Sequence, residues 1–393
     1  MEIFLVATRL GLTSFGGPVA HLGYFREEYV ARRKWLGEQA YADIVALCQF
    51  LPGPASSQVG MAIGIVRAGH LGGIVAWLGF TWPSAAAMIA FAYGVSAIGD
   101  VSDAGWLHGL KVVAVAVVAL AVWGMARTLC PDRPRITLAI SAAGALLFFS
   151  GALVQIAVIV AGGLIGWLLL RPGQPAAEAH AVTRKGRSAA APLFLAAFLV
   201  LLAALPLLRQ AADSEAASAA DTFYRVGSLV FGGGHVILPV MEAEVVGEGG
   251  LLTRDEFIAG YGAAQAVPGP LFTFAGYVGA LLDLGLPMWA GGVFAVVVVF
   301  LPSYLLVASA LPIWDRLGAI SGFRRALMGI NAAVVGLLLA ALYDPVWTSA
   351  IESAEDSALA LATFALLAFW KLPPWLVVAL SAAAGAALAA LQA

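Results

Sequence analysis

The chain has too few charged residues for a water-soluble protein. Only 11% of its 393 residues are Asp, Glu, Lys or Arg, and 62% are hydrophobic. A soluble domain carries about 25% charged residues, because its surface faces water. Apolar runs such as 112–126, 136–170 and 293–311 read as membrane-spanning helices rather than barrel strands. The composition predicts an all-α, multi-pass membrane protein.

The chain also lacks the usual motifs of metal sites, redox centres and hydrolases. Its two cysteines, Cys48 and Cys130, form no CxxC pair and no disulfide framework. No HExxH, GxSxG or Walker A sequence occurs. We therefore expect no enzyme, no ATP-driven pump, no metal or cofactor, and no nucleic-acid partner. The start, MEIFLVATRLGL, has no basic n-region and no small-residue cleavage site, so we expect no signal peptide.

What the chain does contain is an internal repeat. Residues 9–60 align without a gap with residues 225–276. The aligned positions share two unusual features, FGG and PGP, together with the residues around them. Identical pairs include Arg9/Arg225, Gly11/Gly227, Phe15/Phe231, Glu28/Glu244, Gln49/Gln265, Pro52/Pro268, Gly53/Gly269 and Pro54/Pro270; farther along, Pro83-Ser84 matches Pro302-Ser303 and Gly109 matches Gly329.

The repeat divides the chain into two homologous halves, 1–171 and 223–393. A basic linker and one connecting helix occupy 172–222. Like halves joined through one extra span should have opposite orientations in the membrane. Loop charge agrees, because cytoplasmic loops collect Lys and Arg. The loop after FGG is basic in the first half (26–34) and acidic in the second (242–248). We predict inverted-topology repeats.

The broken segments raise a second topological question. Glycine pairs and prolines interrupt helices. If each broken segment crossed the membrane, the basic loops 26–34 and 127–135 would lie on opposite sides. The conflict disappears if each segment turns back at its break, with arms of roughly 12–14 residues, about 20 Å long. We predict about nine full spans plus four re-entrant hairpins; about 13 full spans, one for each hydrophobic segment, is the alternative.

Such breaks favour an anion-binding site. Helix starts near the midplane present free N–H groups and a positive dipole end, and several secondary transporters build substrate sites in this way. Candidate substrate-binding residues are the glycines, hydrogen-bond donors and cations around the breaks. They are Arg9, Gly16, Gly17, Gln49, Gly53, Ser56, Ser57 and Lys111 in the first half, and Arg225, Gly232, Gly233, Gln265, Gly269 and Thr273 in the second.

A structural role is the alternative at each of these positions. Intramembrane arginines bind ligands, snorkel or cap carbonyls, and hydroxyls at helix starts act as N-caps or face a ligand. His21 and His235, just past the FGG breaks, are the candidates for proton coupling; the alternative is that they are histidines packed in the core. No buried acidic pair is evident; Glu28 and Glu244 lie near the ends of their arms, and we assign them a structural role.

The quoted motifs resemble a known family. FGGPVAHLGYFREEYV (15–30) and QFLPGPASSQVGMAIG (49–64), with their second copies FGGGHVILPVMEAEVV and QAVPGPLFTFAGYVGA, resemble the chromate ion transporter family in its long, two-domain type. The resemblance implies a bacterial inner-membrane secondary transporter that exports chromate, confers chromate resistance and is driven by the proton motive force. The family's hallmark residues here are Phe15, Gly16, Gly17, Pro18, His21 and Val30.

The two copies are not equal. Gly234 replaces Pro18 in the second copy, and Ile237 replaces His21. Chromate is a tetrahedral dianion like sulfate, so a transporter of sulfate or another oxyanion is the alternative. A lipid-phosphate translocase is a further one, because paired hairpins can hold an anionic head group. Expected partners are the oxyanion and membrane lipid, with the protein acting as a monomer or a homodimer.

Overall fold

The structure, a computed structural model, describes residues 1–15, 17–98, 105–149, 152–171, 190–212, 214–230, 236–246, 252–314 and 320–392. Helices and no strands occur in these ranges, which confirms the all-α prediction. The first eight are α1 (Glu2–Thr13), α2 (Gly17–Phe25), α3 (Glu38–Phe50), α4 (Ala55–Ile98), α5 (Gly105–Leu129), α6 (Arg133–Phe148), α7 (Ala152–Leu169) and α8 (Ala191–Ala211). The others are α9 (Glu215–Leu229), α10 (Ile237–Val245), α11 (Arg254–Ala264), α12 (Phe274–Leu281), α13 (Met288–Ala310), α14 (Ser321–Ala341), α15 (Ala354–Ala368) and α16 (Pro374–Gln392).

Several helices continue through irregular turns. The π-helical segment Arg26–Arg32 extends α2, and a 3₁₀ turn, Leu271–Thr273, precedes α12. A second π-helical segment, Leu342–Trp347, follows α14. The long helix α4 is broken at Ala68 and Gly69, where the backbone leaves helical geometry. The break separates the second arm of a PGP hairpin from the span that follows it.

Five helices of the described chain are long and apolar enough to cross a membrane. They are Ala55–Ala97, Gly105–Leu129, Ala191–Ala211, Met288–Ile313 and Ser321–Ala350. Shorter apolar helices occur at Ala40–Phe50, Leu153–Leu169, Leu271–Leu281 and Pro374–Ala390. The chain is therefore a multi-pass membrane protein, and the count of nine full spans stays a prediction.

In the first half, both broken segments begin and end at one face of the molecule. Glu2, at the start of α1, lies 2.9 Å from Arg33, just after the extension of α2. Arg67 ends the second arm of the PGP hairpin, just before the break in α4. Its guanidinium lies 4.9 Å from the ring centre of Trp35. The chain thus leaves this face, turns at FGG, returns, and repeats the excursion through PGP.

The second half contains the same two hairpins. Arg225 of α9 lies 3.2 Å from Glu244 of α10, so these two arms run side by side. The hydroxyl of Tyr277 in α12 donates a hydrogen bond of 3.0 Å to the carbonyl of Glu256 in α11. Both contacts join residues on opposite sides of a break. Four helical hairpins are therefore present, and their re-entrant position in a bilayer stays a prediction.

The two halves interlock through their last helices. In the first half, α5 packs against α15 and α16 of the second half, and α14 of the second half packs in the same way against α6 and α7 of the first. The central stretches 112–118 of α5 and 332–338 of α14 are buried. In contrast, only 11% of the residues in the apolar stretch of the connecting helix α8 are buried. This helix lies at the periphery, against α9 and α13.

Glycines allow the close crossings between these helices of opposite halves. Gly329 of α14 lies against Gly162 and Gly166 of α7, and its repeat counterpart Gly109 of α5 lies against Ser381 of α16. Small residues let membrane helices approach backbone to backbone. Both crossings are antiparallel: from Gly162 to Gly166 along α7, the nearest backbone atoms move from Gly329 back to Arg325. The same close, antiparallel crossing is therefore built twice.

One ion pair also recurs, with its charges exchanged. Arg26 lies 2.6 Å from Glu38 in the first half. The aligned positions in the second half hold Glu242 and Arg254, which lie 3.3 Å apart. Each pair ties the end of an FGG hairpin to the start of the PGP hairpin that follows it. The contact is kept while the sign at each position is reversed.

The exchanged crossings give a stability prediction. A Cβ at Gly329 would collide with the carbonyl oxygen of Gly162. Gly329→Ala should therefore destabilise the protein by roughly 1–3 kcal/mol, the usual cost of overpacking. Gly144→Ala in α6 is the matched control, because no atom lies within 4 Å of its Cβ and alanine favours helix. Thermal unfolding in detergent measures both; equal melting temperatures would contradict the close crossing.

Candidate functional site

The two PGP breaks have the same backbone geometry. Gly53 has a φ of 118° and Gly269 a φ of 104°, a region that side-chain-bearing residues rarely adopt. Prolines on both sides, at 52 and 54 and at 268 and 270, fix the neighbouring φ angles and keep either helix from running through. Each break therefore stops one helix and starts the next within a few residues.

Each PGP glycine is bonded to the other half of the molecule. The N–H of Gly53 donates to the carbonyl of Val230, at 2.6 Å, and the N–H of Gly269 donates to the carbonyl of Ser14, at 3.0 Å. Ser14 and Val230 occupy aligned positions, each just before an FGG break. The two bonds are thus equivalent, and each joins the PGP break of one half to the FGG break of the other.

A second reciprocal contact supports the first. A Cβ at Gly53 would collide with Ser303 Oγ, and a Cβ at Gly269 would lie 2.8 Å from Ser84 Oγ. These serines are repeat counterparts that follow the helix prolines Pro83 and Pro302. Glycine is therefore required at both PGP breaks by the backbone angle and by the serine opposite. The two PGP breaks, the residues that precede the FGG breaks (Ser14 and Val230) and the two Pro-Ser helix positions form one region, which we call the break cluster.

His21 adds a polar junction on one side of the break cluster. It is 2% exposed; its Nε2 donates to the Ser14 carbonyl at 3.1 Å, and its Nδ1 lies 3.2 Å from Ser56 Oγ. The carbonyl only accepts, so Nε2 carries a hydrogen. The Ser14 carbonyl thereby receives both His21 and Gly269. Ile237, fully buried, stands at the aligned position in the second half, so the junction is not repeated.

Buried polar atoms without partners surround the breaks. Most buried polar groups in proteins are hydrogen-bonded, so each exception needs a reason. Among the described residues, the unpartnered atoms within four residues of a break, of Pro83 or of Pro302 are Ser14 Oγ, Ser57 Oγ, Gln58 Oε1, Thr81 Oγ1, Gln265 Nε2 and Ser303 Oγ. Gln58 Nε2 and Ser303 Oγ also approach the same point beside Gly53. The break cluster therefore holds hydroxyl and amide groups free to bind a polar ligand.

Two predicted hydroxyl donors are already engaged. Ser56 contacts His21, as described, and Thr273 Oγ1 donates to the Pro270 carbonyl at 2.8 Å. Ser57, which is 1% exposed, has no partner among the described residues. The amide nitrogen of Gln265 has none either, whereas Gln49, its counterpart, is exposed at the end of α3. The first turns after the breaks thus divide into bonded and unbonded donors.

The predicted cations take three different positions. Arg9 lies on an exposed face of α1. Arg225 is held by Asp221 and by Glu244, and Lys111, which is 3% exposed, has its Nζ 3.3 Å from Asp255. The structure does not bring Arg9 and Arg225 into equivalent surroundings. The buried Lys111 and the partly buried Arg225 are therefore neutralised by carboxylates, and their binding role stays a prediction.

Some predicted site residues lie outside the described residues. These are Gly16, Gly232, Gly233 and His235. Gly17 begins α2 with a φ of 77°, consistent with a sharp turn there. Sequence reasoning missed Ser14, Gln58 and Asp221. Ser84 and Ser303, which follow helix prolines, are expected to bond local carbonyls; this is confirmed for Ser84, whose hydroxyl donates to the Thr81 carbonyl at 3.1 Å, and is wrong for Ser303, which has no partner among the described residues. The repeat of Pro-Ser was the signal for the two serines; Ser14 and Gln58 carry none beyond their nearness to the breaks.

Comparison with known proteins identifies the family. The model of the family described as chromate transporter matches residues 1–167 and 217–386. A chromate transport protein of Pseudomonas aeruginosa is 30% identical over 87% of this chain and 80% of its own length. One of Cupriavidus metallidurans is 27% identical, covering 98% and 92%, and a probable chromate transport protein of Synechococcus elongatus is 26% identical, covering 96% and 92%.

No solved structure matches this chain. The matched ranges cover both halves and leave out the linker and the whole of α8. They contain the FGG and PGP breaks of each half, so the break cluster described above is built from residues inside the family's own region. The chain is therefore a transporter rather than an enzyme, and it belongs to the chromate transporter family.

Proposed function

We propose that this protein is a secondary active transporter that exports chromate across the bacterial inner membrane and so confers chromate resistance. The proposed site is the break cluster, near the midplane. One observation carries the proposal: the breaks of the two halves bond to each other reciprocally and leave buried hydroxyl and amide groups unpartnered around them. The relatives named chromate transport protein support chromate as the substrate.

The available donors suit an anion that only accepts hydrogen bonds. Hydroxyls such as Ser57 and Ser303, the amide of Gln265 and the first N–H groups of the outgoing arms are neutral donors. Hydrogen bonds to a charged partner are worth about 1.5–3 kcal/mol each, more than those between neutral groups. Because Lys111 and Arg225 are already paired with carboxylates, the oxyanion is held by dipoles and released without breaking a direct salt bridge.

The helix crossings support the inverted arrangement of the halves. Only three residues separate α5 from α6, and three separate α6 from α7, so α5 and α7 run in the same direction through a membrane. The crossing of α7 with α14 is antiparallel, so α14 runs opposite to its counterpart α5. We propose inverted repeats with re-entrant hairpins, in which the basic face with Arg33 and Arg67 is cytoplasmic. Each half then offers the site to one side of the membrane.

The charge of the substrate supplies the driving force. Moving one charge across the membrane is worth roughly 2.3 kcal/mol per 100 mV, so a dianion gains about 4.6 kcal/mol per 100 mV on leaving a cell that is negative inside. Held by neutral donors, chromate keeps both negative charges. The electrical part of the proton motive force therefore favours export.

Sulfate has the same shape and charge, so the same donors accept it, and flux measurements separate the two. Proteoliposomes with an imposed potential or pH gradient should show saturable chromate flux that exceeds sulfate flux and follows the potential. Sulfate flux without chromate flux would show that the transported substrate is sulfate and not chromate. Movement of a labelled lipid phosphate without oxyanion flux would show that the protein is a lipid-phosphate translocase and not an oxyanion transporter.

A side-chain test uses two serines of α13. Ser303→Ala removes an unpartnered buried hydroxyl, so it should weaken chromate transport about tenfold, near 1.4 kcal/mol, with little change in stability. Ser309→Ala is the control, because Ser309 is also buried in α13 but its hydroxyl donates to the Leu306 carbonyl. The KM and kcat of both variants decide; a normal rate in Ser303→Ala would exclude that hydroxyl as a ligand.

Topology is tested by labelling single cysteines at exposed positions, after replacing the buried Cys48 and Cys130. Gly37→Cys and Ala68→Cys should react with an impermeant reagent from the cytoplasmic side, and Asp283→Cys from the other side. Labelling of positions 37 and 68 from opposite sides would mean that the PGP segment spans the membrane. Labelling of all three from one side would refute the inversion.

A further inference from the structure

Four charged side chains form a network beside the FGG break of the second half. Arg225 of α9 is bound by two carboxylates: Asp221, one turn earlier in the same helix, and Glu244 of α10, at 3.2 Å. Asp221 also lies 3.5 Å from Arg209 of α8. The side chains of Asp221 and Glu244 are only 3% and 9% exposed. Two buried carboxylates therefore share one guanidinium.

The aligned residues of the first half are arranged differently. Arg9, the counterpart of Arg225, is exposed on α1. Glu28, the counterpart of Glu244, contacts Arg32 at 3.2 Å and Arg33 at 2.6 Å. The arginine and the glutamate are present in both halves, but among the described residues they meet only in the second. A purely structural pair inherited from the repeat would be expected in both.

A small cavity reaches Glu244 from the first half. It has a volume of about 10 Å³ and is lined by Gln155, Ile156 and Ile159 of α7, Leu229 of α9, and Val240 and Glu244 of α10. This volume is near the lower limit for one water molecule. Gln155 Nε2 donates to the Pro239 carbonyl, at 3.1 Å, so the amide nitrogen that lines this cavity already has a partner. Glu244 thus lines a small, mostly apolar cavity, in which Gln155 is the other polar residue and which Asp221 does not line.

We propose that Glu244 is a proton-binding site that is loaded together with the oxyanion, an inference that rests on the proposed function. A proton taken from water by Glu244 Oε1 makes the carboxyl neutral and loosens its hold on Arg225 Nη1. The Nε of Arg225 is buried and has no partner among the described residues. With Glu244 neutral, less of the positive charge of Arg225 is compensated, and the proton returns to water when the anion leaves. One proton carried with the dianion leaves a net charge of −1, which the membrane potential still drives out of the cell.

The position of Arg225 connects the network to the break cluster. Arg225 lies five residues before Val230, about 7.5 Å along a helix, and the Val230 carbonyl accepts the bond from Gly53. Removing one of the two negative charges that face Arg225 raises the positive potential at the end of α9. An oxyanion at the cluster gains from that change, and by reciprocity it favours protonation of Glu244.

Other charges around Glu244 do not offset this effect. Among the described residues, the charges that act on it are those of Arg225, Arg209 and Asp221. On α11, Arg254 is bound to Glu242 and Asp344. The helices α7 and α14 also pack against α10, and neither places a charge on Glu244. Asp221 keeps two arginine partners, so Glu244 is the carboxylate that takes up the proton.

The experiment measures chromate affinity of the purified full chain over a pH series, for the wild type, Glu244→Gln and Glu28→Gln. Glutamine at 244 imitates the protonated carboxyl. The wild type should bind chromate more weakly than Glu244→Gln at alkaline pH, roughly 5- to 150-fold, the usual range of coupling between sites. The ratio should fall to one as the pH decreases. Protonation of chromate itself cancels in this ratio.

Glu28→Gln is the matched control, and its affinity should follow the wild type at every pH. A pH-independent ratio between the wild type and Glu244→Gln would overturn the proton-binding role while leaving the oxyanion site standing. A pH-dependent difference in Glu28→Gln alone would assign the role to the first half instead. Absence of chromate binding in all three proteins would overturn both proposals.

A second measurement does not depend on the variants folding. At an alkaline pH where chromate carries no proton, chromate binding by the wild type in weakly buffered solution should take up protons. Calorimetry in two buffers of different ionisation enthalpy gives the number taken up. A value of zero would contradict loading of the proton and the oxyanion together.

Discussion

Two hydrogen bonds between the halves organise this protein: Gly53 to Val230 and Gly269 to Ser14. Each satisfies a backbone N–H at a point where a helix has stopped and no intrahelical partner exists. In a membrane interior an unsatisfied backbone group costs several kcal/mol, so irregular backbone needs such a partner. The partner is supplied here by the equivalent break of the other half, and neither half can meet the requirement alone.

The surrounding packing follows from this constraint. The left-handed angle at each PGP glycine and the serine facing it exclude side chains, and glycine crossings hold the last helices of each half against the other. The reciprocal bonds satisfy the backbone at the breaks but not the side chains around them. Ser57, Gln265 and Ser303 are left with unbonded polar atoms. Structural bonds and free donors are thus separated within one region.

Local sequence predicted the helical class, the repeat and the family, because low charge, apolar runs, FGG and PGP are visible in short stretches of chain. Partners across the molecule were not predictable, since the alignment gives the equivalence of Ser14 and Val230 but not their bonds to the opposite half. Arg9 and Arg225 appeared equivalent for the same reason. Their surroundings differ because Asp221 precedes Arg225 by four residues, where the first half has Leu5. Span number and membrane orientation stay predictions.

The junction at His21 shows what fusion of the two halves permits. In a symmetric pair of identical chains, any substitution occurs twice, so a histidine at this position would appear at both breaks. Here one copy carries His21 and the other a buried isoleucine, while the bonds that join the copies are kept. Because the two halves are covalently linked, their sequences can differ while the bonds between them are kept. One half can therefore carry an ionisable side chain at a position where a symmetric pair would carry two.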